Sequence, residues 1–193
     1  MESSNAELAP SQELVNELIA TYQHGRLGDA HRLAGSITRE FPQYQVAWKI
    51  LGVILGQAGR PVDAALANQK AVDLSPNDAE AHYNLGVTLQ ALGSLEKAAA
   101  SYKRSITLKP RQPKAHSNLG VVLDAQGKFS EACAAFGKAV SLDPDFTSAY
   151  INLSLTIAKA KFERSQCELY PALIELLSTN KIARPKFMAG GIL

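Results

Sequence analysis

Apolar residues recur at helical spacing through the middle of the chain. Leu85, Leu89 and Leu92 lie at positions i, i+4 and i+7, which places their side chains on one stripe of a helix. A second stripe follows, formed by Leu95, Ala98, Tyr102 and Ile106. Gly93 lies between the two stripes, and glycine readily takes the left-handed conformation that a tight helix end requires. The pattern therefore predicts two helices joined by a short turn.

The same pattern returns every 34 residues. The text AEAHYNLGVTLQALGSLEKAAASYKRSITLKP at 79–110 is followed closely by AHSNLGVVLDAQGKFSEACAAFGKAVSLDP. Three residue types keep the register: Pro42, Pro76, Pro110 and Pro144; Gly25, Gly59, Gly93 and Gly127; Ala30, Ala64, Ala98 and Ala132. Such a register indicates an array of structural repeats, each of which buries its apolar surface against its neighbours.

This text resembles the tetratricopeptide repeat, a helix–turn–helix unit of 34 residues. The resemblance covers residues 11–145 fully and one further first helix beyond them. It implies an all-α, right-handed solenoid of antiparallel helix pairs with a helical C-terminal extension. The predicted pairs are Ser11–His24 with Leu27–Glu40, Val46–Ala58 with Pro61–Leu74, Ala79–Leu92 with Leu95–Leu108, and Pro113–Gln126 with Phe129–Leu142.

The repeats set the expected domain organisation. We predict a flexible leader at 1–10, a degenerate first repeat at 11–44, complete repeats at 45–78, 79–112 and 113–146, a degenerate fifth helix pair at 147–180, and a tail at 181–193. In the first repeat, Glu17 and Leu18 replace the Leu-Gly pair of the later repeats, which is typical of a terminal cap. In the fifth, Lys161 replaces the turn glycine, and a second helix is expected near Phe162–Ser178. The apolar tail leaves two explanations open, a truncated chain or an end that packs on another surface.

Small residues at fixed positions predict close helix crossings. Gly52, Gly86 and Gly120 each follow a leucine in a first helix, and Ala64, Ala98 and Ala132 lie in the second helices. Larger side chains at such positions would overpack the crossing at a cost of about 1–3 kcal/mol.

Composition narrows the classes of partner. The 20 Lys and Arg against 18 Asp and Glu give a net charge of +2, which does not favour nucleic acid or an anionic membrane as the main partner. No apolar run reaches the roughly 18 residues of a membrane span, and the polar N-terminus lacks the features of a signal peptide. A cytoplasmic location is expected. Cys133 and Cys167 fit no metal or redox spacing and are interpreted as buried small residues.

The sequence offers no catalytic motif. His82 and His116 share their repeat position with Trp48 and Tyr150, and in the resembled family an aromatic residue packs between helices there. No phosphate loop, HExxH, GxSxG or paired-cysteine motif occurs. We therefore expect neither enzymatic activity nor a bound cofactor or metal ion.

The resemblance implies that ligands, usually peptides, lie on a concave face lined by the first helices. Asn84, Asn118 and Asn152 share one repeat position there, and this row resembles the asparagine ladder of O-linked N-acetylglucosamine transferase arrays. Asparagine can donate and accept hydrogen bonds, so such a row could hold a peptide backbone. Ile50 interrupts the row, and a purely structural role for these asparagines stays open.

A carboxylate clamp of the kind found in some arrays is only partly matched. Lys49, Asn84 and Lys114 occupy three of its five positions, whereas Val53 and Asn118 replace an asparagine and the arginine. Without arginine the clamp loses its bidentate donor, which argues against a full clamp. The candidate partner-binding residues are Lys49, Tyr83, Asn84, Val87, Gln90, Lys114, Asn118, Val121, Asp124 and Asn152.

Three hypotheses follow for the function. The first is a non-catalytic interaction module that binds a partner protein or an extended peptide. The second is the substrate-recruiting region of a larger enzyme, such as a glycosyltransferase, with its catalytic domain beyond Leu193. The third is a scaffold that assembles with copies of itself through its C-terminal helices.

Overall fold

The computed structural model describes residues 9–163. In this part of the chain nine helices and no strand are present. The chain divides into two compact units, unit 1 (Met1–Ser94) and unit 2 (Leu95–Leu193). The boundary follows the turn between the two helices of the third predicted repeat.

Unit 1 contains five helices: α1 (Gln12–Gln23), α2 (Leu27–Glu40), α3 (Gln45–Gln57), α4 (Pro61–Leu74) and α5 (Ala79–Ala91). Each helix packs on the next along the chain, and α3 also contacts α5. The main core lies among the first four helices and includes Leu18, Ile37 and Ile54. A second cluster joins α4 to α5 through Ala71, Val72, Ala81 and Leu85.

Unit 2 contains four described helices: α6 (Leu95–Leu108), α7 (Pro113–Ala125), α8 (Phe129–Leu142) and α9 (Thr147–Glu163). Again each helix packs on its successor, and α7 contacts α9. Phe136, Val122 and Val140 are fully buried. Ala139, Val140, Ala149 and Tyr150 form the cluster that joins α8 to α9.

The turn glycines end their helices as predicted. Gly25, Gly59, Gly93 and Gly127 have φ of 70–71°, a conformation that residues with a side chain rarely adopt. In each turn the residue after the glycine donates its backbone N–H to a carbonyl five residues earlier, as in Arg26 to Thr21 at 3.1 Å. This bonding satisfies carbonyls that the helix end would otherwise leave unpaired. Every helix end predicted for the first four repeats lies within one residue of the observed end.

The ninth helix differs from the prediction. It continues through Lys161 to Glu163, so Phe162, the first residue of the helix expected near Phe162–Ser178, still belongs to α9. Lys161 stands where the other repeats have the turn glycine, and an L-residue does not favour the left-handed turn. Several predictions lie outside the described residues. They concern the remainder of the predicted helix to Ser178, Cys167, the tail at 181–193, the proposed C-terminal self-assembly surface and leader residues 1–8.

Gly52 and Gly120 mark close crossings as predicted, but against partners that the sequence did not indicate. A Cβ atom on Gly52 would lie 2.1 Å from Oδ1 of Asn68, and one on Gly120 would lie 2.7 Å from Cε1 of Phe136. Ala64 and Ala132 are fully buried, yet the residue that fills the space left by the glycine lies one turn further along the second helix.

Candidate functional site

Lys49 of α3 is bound within unit 1. Its Nζ atom donates to Oδ2 of Asp78 at 3.1 Å and to Oε2 of Glu80 at 2.7 Å. Asp78 is also the N-cap of α5, because its Oδ1 accepts the backbone N–H groups of Glu80 and Ala81. Gln45 donates to the second Asp78 oxygen at 2.8 Å. The lysine therefore links two successive repeats.

These contacts shift the pKa values of both partners in the direction of the charged pair. Burial alone would lower the pKa of Lys49, but hydrogen bonds to Glu80 and Asp78 outweigh it and raise that pKa. Burial alone would raise the pKa of Asp78, but the bonds from Lys49 and the Ala81 N–H lower it. A ligand carboxylate would have to displace two resident carboxylates to use Lys49.

Asn84 lies on α5 above a buried polar contact. Asn68, which is fully buried on α4, donates from Nδ2 to the Asn84 carbonyl and to Oγ1 of Thr88, both at 3.3 Å. The side-chain Nδ2 of Asn84 is buried and makes no hydrogen bond. The backbone of Asn84 thus has a structural role, while its amide retains an unused donor.

The other unit 1 candidates lie on the same helix as Asn84. Tyr83 and Gln90 are partly exposed, and Val87 is 41% exposed. On α3, the partly exposed Val53 lies one turn after Lys49. Because Lys49 reaches Glu80, these stripes of α3 and α5 lie side by side, and we call them the first-helix face of unit 1.

In unit 2, Asp124 of α7 has the corresponding linking role with the opposite charge. Its Oδ1 accepts a hydrogen bond from Oγ1 of Thr156 at 2.8 Å, and its Oδ2 pairs with Nζ of Lys159 at 2.5 Å, both from α9. Burial and the charge of Asp124 also raise the pKa of the Cys133 thiol to about 11. This thiol, which is half-buried rather than fully buried, is therefore protonated at neutral pH.

The remaining unit 2 candidates lie along α7 and α9. Nδ2 of Asn118 lies 3.4 Å from the Tyr102 hydroxyl, a weak hydrogen bond. Lys114 is exposed, and Val121 and Asn152 are partly exposed. Two apolar side chains of α9 are well exposed, Ile151 at 45% and Leu155 at 56%. The first-helix face of unit 2 is formed by Lys114, Asn118, Val121, Ile151, Asn152 and Leu155.

His82 and His116, which share one repeat position, each form a hydrogen bond with a backbone carbonyl of the preceding loop. Nε2 of His82 lies 2.9 Å from the Pro76 carbonyl, and Nε2 of His116 lies 3.0 Å from the Pro110 carbonyl. Trp48 makes the same bond through Nε1 to the Pro42 carbonyl at 3.0 Å. The ring at this position therefore ties the first helix to the preceding proline loop, as the packing interpretation requires. Tyr150 is the exception, since its buried hydroxyl has no hydrogen-bond partner.

Sequence reasoning missed the partners of the charged candidates and named as binding residues only two members, Val87 and Val121, of one apolar row. Val53, Val87, Val121 and Leu155 follow the same 34-residue step as the glycines and prolines. That step could have revealed an apolar row on the first helices. Glu80, Thr156 and Lys159 carried no comparable periodic signal.

Between residues 9 and 163, no group of three His, Cys, Asp or Glu side chains could hold a metal ion. None of the described helices has the length and apolarity needed to cross a membrane. A cleft of about 410 Å³ opens between α1 and α2 in unit 1, where Arg32 pairs with Asp29. It contains none of the predicted site residues.

Comparison with known proteins agrees with this fold. A family model described as TPR repeat matches residues 62–93 and 91–127, and one described as tetratricopeptide repeat matches residues 113–146. No curated protein matches the chain.

Solved structures are similar over most of the chain. A crystal structure of MamA is 24% identical, with a TM-score of 0.69, and the match covers 83% of this chain and 94% of MamA. A MamA from Desulfovibrio magneticus RS-1 is 20% identical, with a TM-score of 0.72 and coverage of 88% and 96%. YrrB, described as a TPR protein with an unusual peptide-binding site, is 19% identical, with a TM-score of 0.72 and coverage of 93% and 89%. Residues 62–146 therefore contain tetratricopeptide repeats, and the chain has an all-α solenoid fold.

Proposed function

We propose that this chain is a non-catalytic interaction module that binds an extended peptide of a partner protein on a first-helix face. The observation that carries the proposal is the exposed apolar pair Ile151 and Leu155 on α9. Exposed apolar side chains on a preformed surface are suited to bury the side chains of a ligand. The peptide-binding site named for YrrB supports the same class of ligand.

Neither Lys49 on α3 nor Asp124 on α7 favours capture of a carboxylate terminus. Lys49 and Asp124 are both engaged by residues of the following repeat. Because the helices are held by these links and by buried cores, the faces lose little entropy when a ligand binds. The asparagine row at 84, 118 and 152, with its likeness to O-linked N-acetylglucosamine transferase arrays, stays a prediction.

The test compares two double variants, each of which replaces two exposed apolar side chains by serine. Peptides are first selected against the wild-type chain from a random peptide library. Their affinities are then measured for Ile151→Ser/Leu155→Ser and for Val62→Ser/Leu66→Ser, a control pair on α4 whose side chains are 61% and 69% exposed. All four residues are exposed, so helical content should be unchanged in both variants.

We expect the α9 variant to lose about tenfold or more in affinity and the α4 variant to bind as the wild type does. Equal affinities for the wild type and the α9 variant would refute binding on the first-helix face of unit 2. Loss of binding only in the α4 variant would move the site to the second helices.

A further inference from the structure

We propose that a second surface, at the loop between α6 and α7, docks an acidic segment of a partner protein. Residues 103–114 contain five basic and no acidic residues. Three of the basic residues, Lys109, Arg111 and Lys114, form what we call the basic edge of unit 2. Each is exposed, and within residues 9–163 none of their side chains makes an ion pair or hydrogen bond.

The repeat itself does not require these charges. Ser75 and Asn77 occupy the positions of Lys109 and Arg111 one repeat earlier, and Asp143 and Asp145 occupy them one repeat later. The proline at the centre of the loop is common to all three loops, but the positive charge occurs at these positions only in the loop between α6 and α7. The cations are therefore a property of this loop and not of the fold.

Hydrogen bonds from two side chains hold the loop in place. Nε2 of Gln112 lies 3.0 Å from the carbonyl of Lys109 and 3.2 Å from the carbonyl of the buried Ser105, which satisfies the end of α6. Nε2 of His116 donates to the carbonyl of Pro110. Because Gln112 already donates hydrogen bonds to the carbonyls at the end of α6, the neighbouring cations are not needed as donors there. Their side chains are exposed to solvent. A fixed loop also lowers the entropy lost on binding.

The local field adds to the attraction for an anionic group. The positive end of the α7 dipole lies at Pro113 and Lys114. This end has no side-chain cap, since Gln112 turns back toward α6. By contrast, the carboxylate of Asp78 already occupies the corresponding end of α5. Carboxylates brought by a partner would gain from both the cations and the helix end.

The surroundings favour an acidic protein segment over a nucleic acid. Asp143 and Asp145 lie in the next loop of the same unit and would repel a phosphate backbone that continued along the repeats. Among the described residues, the edge also has no exposed aromatic ring on which a base could stack, since Tyr102 is fully buried and His116 is bound to Pro110. A short segment with a few Asp or Glu residues satisfies three cations without reaching the next loop.

The test uses the full chain and a fluorescein-labelled peptide that carries about four glutamates separated by serines, with a glutamine counterpart as the neutral probe. Binding is followed by fluorescence anisotropy. The edge variant is Lys109→Gln/Arg111→Gln/Lys114→Gln. The matched control is Lys97→Gln/Lys128→Gln/Lys138→Gln, which changes the net charge equally at other exposed lysines.

The edge variant should bind the acidic peptide about tenfold more weakly than the wild type, and the control should differ by less than about twofold. Binding should weaken strongly between about 50 and 300 mM salt, and the neutral peptide should not bind. Equal weakening in the two variants would show only long-range attraction and would overturn the proposal, as would absence of binding at low salt. If a single-stranded oligonucleotide bound the wild type more tightly than the acidic peptide does, and the edge variant lost that binding, the assignment to a protein segment would be overturned.

Discussion

The close approach of α7 and α8 at Gly120 can be tested by a single added methyl group. A Cβ atom there would lie 2.7, 2.8 and 2.9 Å from three ring carbons of Phe136, whereas carbon atoms in contact prefer about 3.5–4.0 Å. Phe136 is fully buried, so its ring has little room to move. We expect the overpacking to cost about 1–3 kcal/mol in the free energy of unfolding.

Gly35→Ala supplies the matched control, because a Cβ atom on Gly35 in α2 would meet nothing within 4 Å. Both substitutions gain about 1 kcal/mol from the higher helix propensity of alanine. Gly35→Ala should therefore stabilise the protein, and the difference between the two variants should equal the steric cost at Gly120. Phe136→Leu replaces the ring by a smaller side chain and should relieve the clash. Gly120→Ala should therefore lower the free energy of unfolding less in the Phe136→Leu background than in the wild type.

The assay is urea unfolding followed by helical circular dichroism. Trp48, the single tryptophan, lies in unit 1, and its fluorescence shows whether unit 1 unfolds together with the rest of the chain. Equal stabilisation by Gly120→Ala and Gly35→Ala would refute the close contact with Phe136.

Three further predictions concern stability. The pKa of Asp78 is lowered in the folded state, so the contribution of Asp78 to folding stability is present above the unfolded pKa near 3.8 and is lost as pH falls through the folded value. Asp78→Asn should therefore lower the melting temperature at pH 7, and the melting temperature of this variant should decrease less than that of the wild type below about pH 4. His82→Phe should cost about 1 kcal/mol through loss of the bond to Pro76, whereas His82→Trp should cost less because Trp48 makes that bond one repeat earlier; a urea midpoint equal for both variants would argue against this role. Tyr150→Phe removes a buried hydroxyl that has no partner, so thermal unfolding should show an unchanged or higher melting temperature, and a clear decrease would mean that the hydroxyl is satisfied.

The helices were predictable because their ends depend on local chemistry. Gly59 ends α3 through its own backbone conformation, and Pro61 is well suited to the first turn of α4. The ion pair that engages the candidate residue Lys49 was not predictable in the same way. Lys49 and Asp78 are 29 residues apart, and only the packing of α3 beside α5 brings the two charges together. A lysine that matched a ligand-binding position thus proved to be held by its own chain.

The crossing inside each helix pair is filled differently from one repeat to the next. In the three helix pairs that lie within one unit, the same two repeat positions hold Leu18 and Ala34, Gly52 and Asn68, and Gly120 and Phe136. The larger residue therefore comes once from the first helix and twice from the second. Joining α1 to α8 would bring Leu18 against Phe136, while joining α7 to α2 would leave a void between Gly120 and Ala34. Helices that occupy the same place in the repeat are therefore not interchangeable. Recombination between these repeats, in evolution or by design, would have to exchange both helices of a pair together.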